Sequence, residues 1–599
     1  MEERYEIFSS PGCSQLSFQN SEHATWGLIE NNARLPLEDL IGDFVPQSAS
    51  NVTEQNVSQS AEFDPEIYAL FASPPKDDQA VQYAVGTAGD VENPVVSPAL
   101  QASPSSAGYS DDSYNIIPEN YGRESWLSVC SPSGIAWIQN QVASDDFANI
   151  ASDLTASWSK QLRLSRNEAA QRGAEPQADL AWKYTHAYFE RSVDSLFDVI
   201  HRPEFEHHLR SHLSNRLCDD DPAWLALRNT VYASGCRLYR SQNHSDSFVS
   251  IQQEAWRFFS NALSVHSDLL LRSPSIRAVR ALLAMALFAE GLGSPALGSG
   301  LVANASLVAQ SLGLHRGLPA LGQPSTTELL QRRWLFWAVY CCEKNISQRT
   351  GRPSVIDDND IGREVPTEVL PDSMIDPLIF TSIIQTCQIS SRLCRKLMST
   401  RHLQDQPSKL MDIVNGLDNE LRTWKATLPS QIMPQDELKH FQTNPISTNL
   451  ALILLHCSYY DLIMATHTIF VYPWSIRQPS LESNPDLAAR LRAQITRSSE
   501  AVATAARNII IMARNFDING ACTHAFMLHF PMHAFINLFI YVIRFPTLKS
   551  VRGDLALLDV STGYFGQMEF VTGSELSFTF AREIAGLARR AVSQAHQQR

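Results

Sequence analysis

The sequence lacks the short motifs that mark the best-known zinc, redox and nucleotide sites. No two of its ten cysteines have Cys-x-x-Cys spacing, which excludes zinc ribbons, zinc fingers and thioredoxin-like redox motifs. No Walker lysine loop and no Gly-x-Ser-x-Gly elbow is present, and residues 291–298 lack the glycine spacing of a dinucleotide-binding loop. The first fifteen residues contain no apolar stretch of the kind found in secretory signals. Scattered cysteines in apolar surroundings then predict buried thiols in a reducing compartment.

Basic residues are scarce at the start of the chain. Residues 1–120 hold 3 Lys+Arg against 19 Asp+Glu, whereas the remaining 479 of the 599 residues hold 45 against 44. Because contacts to phosphates need clustered cations, this distribution argues against a chain-wide nucleic-acid binder. It predicts an acidic tail on a neutral globular body.

Residues 1–120 are predicted to be disordered, since Ser, Pro, Gln, Ala and acids dominate and little apolar surface can be buried. Two islands, residues 26–44 and 62–71, interleave acids with leucines and aromatics. This composition is typical of acidic activation segments, which dock into a partner's groove as short helices. A solubilising tail with stray hydrophobic residues is the alternative.

From Trp126 onward, apolar residues recur at helical spacing, and no run of alternating strands is visible. The pattern predicts an all-α fold with helices at 181–199, 222–239, 276–290, 301–312, 328–349, 375–400, 408–427, 447–470, 485–515, 521–543 and 575–596. We divide the chain into a disordered acidic region (1–120), a linker with the first helices (121–175), a large multi-helix domain (176–545) and a C-terminal loop and helix (546–599).

The segment 518–543 contains no charged residue and is long enough to span a bilayer. It also carries three histidines, two asparagines and Pro531, which are costly in lipid. These polar residues favour a buried helix or helix pair in an α-helical core, so no membrane contact is predicted.

Two acidic clusters are candidate magnesium sites of an all-α enzyme of the terpene-cyclase kind. They are Asp219–Asp221, which precedes a helix and reads as its N-terminal cap, and Asp357–Asp360, which lies in a loop. Neither places carboxylates four residues apart on a helix face, and no second metal motif is visible. The chain is therefore predicted not to be an enzyme, with no catalytic residue and no cofactor.

Histidines 529 and 533 would share one face of a helix, which is a spacing that can hold a metal ion. Pro531 lies between them, and no third ligand is near in the sequence. Other histidines cluster at His201, His207 and His208. We predict that all of these are ordinary buried or half-buried histidines and that no residue ligates a metal.

The segment 311–366 is the most informative. It contains Leu312-Gly-Leu-His-Arg316, then Arg332-Arg-Trp-Leu-Phe-Trp-Ala-Val-Tyr340, then Gly351-Arg-Pro-Ser-Val-Ile356 with Asp360-Ile361 and Pro366 following. In order and spacing it resembles the fungal-specific transcription factor domain, the middle homology region of fungal binuclear zinc cluster regulators. Residues 197–205 and 421–429 are similar to two further elements of that family, and the resemblance extends over about 180–545.

The residues of this block also have a purely physical interpretation. Leu330, Trp334, Trp337 and Cys341 fall on one helical stripe and are predicted to form core. Gly351 and Pro353 should end the helix. Arg332 and Arg333 flank the stripe and are predicted to pair with acids of the following loop, namely Asp357, Asp358 or Asp360. On this interpretation the block is scaffold rather than a ligand contact.

The sequence departs from the family at its DNA-binding module. Members usually carry six cysteines in an N-terminal zinc cluster beside a basic stretch, whereas here Cys13 and Cys130 are the only cysteines before position 218. DNA contact by a zinc cluster of its own is therefore not expected. Two explanations stay open: a cassette lost from the start of the gene, or a regulator that works without its own DNA reader.

The resemblance implies a nuclear transcriptional regulator of a fungal metabolic pathway, with a secondary-metabolite gene cluster as one candidate target. The expected partners are transcription machinery or co-regulators, with a homodimer or a separate DNA-binding protein left open, and a small-molecule effector is also conceivable. The alternative is a small-molecule-binding or protein-interaction module without direct DNA binding.

Overall fold

The computed structural model describes residues 125–598 except 162–172, 193, 195–196, 215–220, 243–245, 273, 292–294, 318–324, 372, 400–405, 434–445, 476–484, 517 and 519–524. The predicted disordered acidic region 1–120 lies outside the described residues. Within them, all regular structure is helical and no strand occurs, so the predicted all-α fold class is confirmed.

Ten helices of the described residues precede the loop that follows the block 311–350. They are α1 (Pro132–Val142), α2 (Asp146–Gln161), α3 (Ala178–Arg191), α4 (Arg202–Leu213), α5 (Pro222–Arg240), α6 (Phe248–Leu263), α7 (His266–Leu271), α8 (Ile276–Glu290), α9 (Pro295–Ser311) and α10 (Thr326–Thr350). A short 3-10 turn, Trp126–Cys130, leads into α1.

The remaining helices follow a loop that contains the 3-10 turn Asp358–Asp360. They are α11 (Pro377–Leu393), which continues as a π-helical turn (Cys394–Met398), α12 (Pro407–Thr427), α13 (Ile446–Val471), α14 (Pro485–Ala513), α15 (Ala525–Arg544), α16 (Val551–Val571) and α17 (Thr579–Gln597).

Local chemistry accounts for several helix boundaries. The Asp221 carboxylate accepts a hydrogen bond from Ala223 N at 3.0 Å and caps α5, as predicted. The Ser325 hydroxyl accepts from Glu328 N at 3.2 Å at the start of α10. At its other end, Gly351 adopts φ 66°, a left-handed conformation that a residue without Cβ reaches at no steric cost. The rest of the acidic cluster, Asp219 and Asp220, lies outside the described residues.

Buried side chains form two large hydrophobic cores. The amino-terminal core is built from α3–α10 and the loop after α10, with Tyr232, Phe259 and Trp337 among its largest members. The carboxyl-terminal core is built from α12–α17 together with α1 and α2, with Phe535 and Phe539 at its centre. Helices of the first and last parts of the chain therefore share one core.

Helix α11 belongs to both cores. Phe380, Ile384 and Cys387 pack in the amino-terminal core. Ile389 and Leu393, together with Ile379, pack in the carboxyl-terminal core. Because α11 is one rigid helix that is buried on two sides, the two cores are joined by a shared helix rather than by a flexible connection.

Aromatic and polar contacts tie α1 and α2 to the later helices. The ring of Phe147 stacks on Phe539 with centroids 6.2 Å apart. Trp474 Nε1 donates to Ser128 Oγ at 3.0 Å. These contacts place the described residues of 126–154 in the carboxyl-terminal core.

Several helices differ from the sequence prediction. Helix α3 ends at Arg191 rather than 199, and α9 begins at Pro295, inside the stretch expected to be a turn. One glycine of that stretch is required by close approach: a Cβ at Gly298 would lie 2.8 Å from the Glu290 carboxylate. Helices α4, α6 and α7 had not been recognised.

The C-terminal loop expected before residue 575 contains a full helix, α16. Its three glycines, Gly553, Gly563 and Gly566, weaken helix propensity and obscured the pattern. Burial of Leu558, Phe565 and Met568 on one face outweighs that weakness.

Two helical segments, Leu450–Val471 and Phe526–Arg544, are long and apolar enough to cross a membrane. Their apolar windows are 83% and 89% buried inside the fold. Packing against neighbouring helices therefore accounts for their hydrophobicity, in agreement with the buried helix expected over 518–543.

Candidate functional site

The apolar stripe of α10 is interior, as predicted. Trp334, Trp337 and Cys341 are buried, and Leu330 packs half-buried against the same core. Trp334 also stacks on Phe380 of α11 with ring centroids 5.2 Å apart. The stripe therefore belongs to the scaffold, and no ligand is needed to explain its apolar character.

The polar edges of the two tryptophans hold the loop that follows α10. Trp334 Nε1 donates to the carbonyl of Glu368 at 2.7 Å, and Trp337 Nε1 donates to the carbonyl of Glu364 at 3.2 Å. A buried indole N–H needs a partner, and here the loop supplies it with main-chain carbonyls. Two main-chain carbonyls of the loop are therefore held against α10 by hydrogen bonds from its tryptophans.

Two buried charged residues, Glu343 and Lys344, form hydrogen bonds with the beginning of the same loop. Lys344 Nζ donates to Ser354 Oγ at 2.7 Å and to the carbonyl of Ile356 at 2.6 Å, and it lies 3.2 Å from Asp358 Oδ1. The Glu343 carboxylate accepts from Val355 N and from Ser354 Oγ, each at 2.8 Å. Both side chains are less than 4% exposed, so their charges are satisfied entirely by this network.

The predicted arginine pairing of this block is wrong. Arg332 donates to Glu328, one turn earlier, at 2.6 Å, and Arg333 is exposed. The loop acids have other cationic partners: Asp358 contacts Lys344 at 3.2 Å and Arg395 at 2.8 Å. An i, i+4 pair on the same helix forms without ordering a loop, which explains why Arg332 turns back toward Glu328.

The acidic cluster Asp357–Asp360 therefore is not an open cation site. Asp357 caps the local turn by accepting from Asn359 N at 2.9 Å, and Arg395 lies 3.6 Å from its Oδ1. Tyr340 OH donates to Asp358 at 3.1 Å. These carboxylates are already engaged by cations and donors of the protein itself.

A small cleft lies beside Trp334. It is lined by Asp198, Val199, His201, Arg280, Gln331, Trp334, Leu335, Leu370 and Ser373. Its polar walls are tied together, since Ser373 Oγ donates to Asp198 at 2.7 Å and Arg280 bridges Glu204 at 2.8 Å and Gln331 at 3.2 Å. The family-like segment around residue 200 thus closes onto α10.

The last turn of α10 reaches the carboxyl-terminal core. Gln348 Nε2 donates to Asp461 Oδ2 of α13 at 2.8 Å. The neighbouring Arg349 pairs with Glu290 of α8. One helical turn therefore contacts both cores.

Asp461 joins the two histidines of α15 in a buried cluster, which we call the Asp-His-His cluster (Asp461, His529 and His533). Asp461 Oδ1 lies 2.7 Å from His533 Nδ1 and 3.3 Å from His529 Nε2. The side chains of Asp461 and His533 are more than nine-tenths buried, and that of His529 is 11% exposed. The absence of a third ligand, on which the sequence analysis set the histidine pair aside, is therefore corrected by the structure.

The protonation of the cluster follows from its surroundings. Burial alone would raise the pKa of Asp461, but the two histidines overcome this and hold it well below its usual range. Burial lowers the pKa of His529, with the Asp461 carboxylate opposing the shift. The cluster therefore holds Asp461 as a charged carboxylate, with His529 under two opposing influences, its burial and the negative charge of Asp461.

Pro531, which lies between the two histidines, does not interrupt the helix, in line with the helix expected over 521–543. Proline has no N–H to give to the carbonyl four residues earlier, which is that of Met527. Tyr564 OH of α16 donates to this carbonyl at 2.8 Å instead. With the carbonyl satisfied from a neighbouring helix, α15 continues through Pro531 and keeps His529 and His533 four residues apart.

The other histidines singled out in the sequence lie at the start of α4 (His201, its N-cap) and within it (His207 and His208). His201 Nδ1 lies 3.9 Å from Asp198, and the rings of His207 and His208 contact each other with centroids 6.0 Å apart. Within the described part of the chain, only the Asp-His-His cluster brings three ligand-type side chains together.

Glu343, Lys344 and Asp461 were missed by the sequence analysis. Each interrupts an otherwise apolar stretch of a long helix, and such a charge is a signal of a buried pair or site. The residues that satisfy them lie 10 to 113 positions away, however, so the signal names no partner.

Comparisons with known proteins point in the direction of the resemblance seen in the sequence. Residues 185–426 match the family described as fungal specific transcription factor domain. This range includes α10, its loop and most of α3–α12.

The chain is similar to two proteins described as ABC-transporter-regulating transcription factors, from Aspergillus oryzae and Aspergillus fumigatus. Each is 27% identical over 488 residues, which cover 77% of this chain and 53% of the relative. The chain thus spans about half the length of these two curated relatives.

It is also 24% identical over 391 residues to a Fusarium heterosporum protein described as the Fusaridione A cluster transcription factor, covering 63% of this chain and 70% of that relative.

Proposed function

Residues 185–426 form a fungal specific transcription factor domain, and from this premise we propose that the protein is a transcriptional regulator that acts in the nucleus of a fungus. The single observation that carries the proposal is this domain, supported by relatives whose names describe transcription factors. The described helices contribute a scaffold whose acidic loop residues are engaged internally, which fits a binding body better than a hydrolytic or cyclising enzyme.

The regulated genes are proposed to belong to a metabolic pathway, with a secondary-metabolite biosynthetic cluster as the preferred case. One similar protein is described as a cluster transcription factor, and two others are described as regulators of an ABC transporter. Regulation of a metabolic gene set, including the export of its product, accommodates both descriptions.

Two parts of the chain are proposed to divide the work. The acidic region 1–120, with 19 Asp+Glu against 3 Lys+Arg, would recruit transcription machinery or co-regulators through its two apolar islands. The helical body would provide self-association, docking of a DNA-binding partner or response to an effector.

A reporter assay tests the first part. Residues 1–120 fused to a foreign DNA-binding domain should activate a reporter gene, and replacing Leu37, Leu40 and Phe44 by alanine should remove most of that activation. Changing Ser48 and Ser50 to alanine is the matched control and should leave activation intact. If the fusion does not activate the reporter gene, the proposed activation role of residues 1–120 is wrong, and the alternative of a regulatory binding module is favoured.

DNA contact is tested by fluorescence anisotropy with the 599-residue chain and duplex DNA from candidate promoters. A cationic DNA-binding surface would give an affinity that falls steeply with salt, because bound phosphates release counterions. We expect no specific binding by this chain alone, and binding only when a DNA-binding partner is added. Tight, sequence-specific binding by the chain alone would contradict this part of the proposal.

The choice of target genes is tested by deleting the gene and measuring transcripts across the genome. The expected result is a coordinated change in one contiguous set of biosynthetic and transport genes. An unchanged transcriptome under all growth conditions that express the gene would overturn the regulatory proposal itself.

A further inference from the structure

The Asp-His-His cluster has the composition of a metal site. Two imidazoles and one carboxylate are ligands that zinc commonly takes in proteins. His529 and His533 stand one turn apart on α15, which places both rings on one face, and Asp461 reaches them from α13. Their ligand atoms all lie within 4.8 Å of one another.

The spacing of these atoms fits a shared ion. Ligands about 2.0–2.2 Å from a tetrahedral zinc stand roughly 3.3–3.5 Å apart. Asp461 Oδ1 is 3.3 Å from His529 Nε2 and 2.7 Å from His533 Nδ1, and all three ligand atoms lie within 4.8 Å of one another, so moderate shifts of the side chains would bring them to these distances.

The hydrogen bonding of the cluster is incomplete without an ion. His529 Nε2 lies 3.3 Å from Asp461 Oδ1, and it has no hydrogen-bond partner that meets the geometric criteria among the described residues. The residue is 9% exposed, so water does not freely replace the missing partner. A metal ion bound by both His529 Nε2 and Asp461 Oδ1 would supply the missing partner.

The charge balance leads to the same conclusion. Asp461 is 1% exposed, and within the described chain its ion-pair partners are the two histidines alone. Arg349, whose charge acts on His529, is itself paired with Glu290. A buried carboxylate without a lysine or arginine partner is stabilised by a bound cation.

A supporting residue is also in place. Gln348 Nε2 donates to Asp461 Oδ2 at 2.8 Å, which leaves Oδ1 directed at the histidines. Hydrogen bonds of this kind orient carboxylate ligands around metals. The donor comes from the last turn of α10, next to Arg349 and Gly351.

We propose that His529, His533 and Asp461 bind one divalent transition-metal ion of the zinc class, with Gln348 orienting the carboxylate. The ion would join α13 and α15 in the carboxyl-terminal core and, through Gln348, the end of α10. This site is separate from any zinc cluster that reads DNA, and it uses imidazole and carboxylate in place of thiolates.

The test uses the full chain, stripped of metal with a chelator, dialysed, and titrated with Co²⁺ as a spectroscopic substitute and with Zn²⁺ in competition. The wild-type chain should bind one equivalent with visible absorption of a nitrogen- and oxygen-ligated cobalt ion, displaced by Zn²⁺. The variants His529→Gln and His533→Gln should each lose this equivalent, with affinity reduced at least 100-fold. Gln348→Ala should weaken binding about 10–100-fold.

His467→Gln is the matched control. His467 is also a buried histidine beside a carboxylate, with Nε2 3.3 Å from Asp418, but it has no second histidine and should leave the equivalent intact. Absence of saturable binding by the wild-type chain, binding retained in a His529→Gln/His533→Gln double variant, or equal loss in His467→Gln would each overturn the site.

Two measurements keep the proposal testable if the cluster variants fail to fold. Zn²⁺ should raise the thermal midpoint of the wild-type chain, and X-ray absorption of the zinc-loaded chain should show two imidazoles with oxygen and without sulfur. Sulfur ligation, or no thermal shift at saturating Zn²⁺, would contradict the assignment.

Discussion

Lys344 is a lysine whose ammonium group is held wholly by protein atoms. Its partners, Ser354, the Ile356 carbonyl and Asp358, all belong to the loop after α10. Its burial against Glu343 means that removing one charge leaves the other without compensation.

We predict that Lys344→Met destabilises the protein by about 3–5 kcal/mol, because it strands a buried carboxylate at Glu343. The double variant Glu343→Gln/Lys344→Met should recover a large part of that loss. Chemical denaturation measures both values. Equal stability of the single and double variants would show that the two charges are not coupled.

Asp194 is a buried carboxyl group whose protonation responds to pH. Burial raises the pKa of this carboxyl to about 7, against opposition from Ser192, Arg237 and Tyr188. The folded state thus holds a proton that the unfolded chain releases near pH 4. Its contribution to stability is full below that value and is lost as the pH rises to about 7.

The predicted consequence is a decline in the unfolding free energy between pH 4 and 7, at up to about 1.4 kcal/mol per pH unit from this group. Asp194→Asn should remove this group's part of the pH dependence. The unfolding free energy of the variant, relative to that of the wild type, should therefore increase by about 2–3 kcal/mol between pH 5 and 8. Denaturation curves at several pH values provide the measurement. Parallel pH profiles for the two proteins would refute the assignment.

Sequence reasoning succeeded for Trp334 and Trp337 because their burial follows from helical spacing alone. It failed for Glu343, Lys344 and Asp461, whose burial depends on segments that return to them from elsewhere in the chain. Arg332 shows the same limit: its partner was the acid one turn away, not the acids of the loop.

At the scale of the helices, α15 depends on a hydroxyl from α16. Tyr564 donates to the Met527 carbonyl that Pro531 leaves without an N–H. Local helix propensity alone predicts a break at Pro531. The hydrogen bond from the neighbouring helix α16 compensates for the missing N–H and keeps α15 continuous. This compensation is invisible in the sequence because 33 residues separate the proline from the tyrosine.

We predict that Tyr564→Phe costs about 1–3 kcal/mol by leaving a buried carbonyl unsatisfied. In a Pro531→Ala background, residue 531 regains an N–H, and the same tyrosine change should cost clearly less. A double-mutant cycle on the unfolding free energy gives the coupling. Strict additivity would mean that the hydroxyl and the proline are unrelated.

Helices α3 and α5 approach each other closely at Gly235. A Cβ at this position would lie 2.0 Å from the carbonyl oxygen of Tyr184. Glycine is thus required here by contact with the facing backbone, although φ is ordinary.

Gly235→Ala should therefore destabilise the protein by at least about 2 kcal/mol, since the facing atom is main chain and cannot turn aside. Gly416→Ala is the counterpart: it lies exposed in α12 with no neighbour within 4 Å of the new Cβ, and it should stabilise by about 0.5–1 kcal/mol. Thermal denaturation of both variants measures the change in stability relative to the wild type. Effects of the same sign would contradict the packing argument.

At the scale of the whole described chain, the two cores are predicted to unfold together. They share α11, and Gln348 links α10 of one core to Asp461 of the other. The sequence predicted the helices of each core separately, but it could not show that α11 serves both, because its apolar residues cover more than one face.

Phe147→Ala tests this coupling. The ring is 1% exposed in the carboxyl-terminal core, and its loss should cost about 3–5 kcal/mol. Hydrogen exchange of α8, in the amino-terminal core, should accelerate as much as that of α15. Faster exchange in α15 with unchanged exchange in α8 would show two independent folding units.

The double burial of α11 also limits how this chain can change in length. Each added or deleted residue turns the rest of a helix by about 100°, so an insertion within Pro377–Leu393 would point both sets of apolar side chains away from their neighbours. The π-helical turn Cys394–Met398 is a place where one extra residue is already accommodated, with Leu397 still buried. Insertions and deletions in divergent copies of this protein are therefore expected in the connections and at that turn, whereas α11 itself should vary only by exchange of one side chain for another.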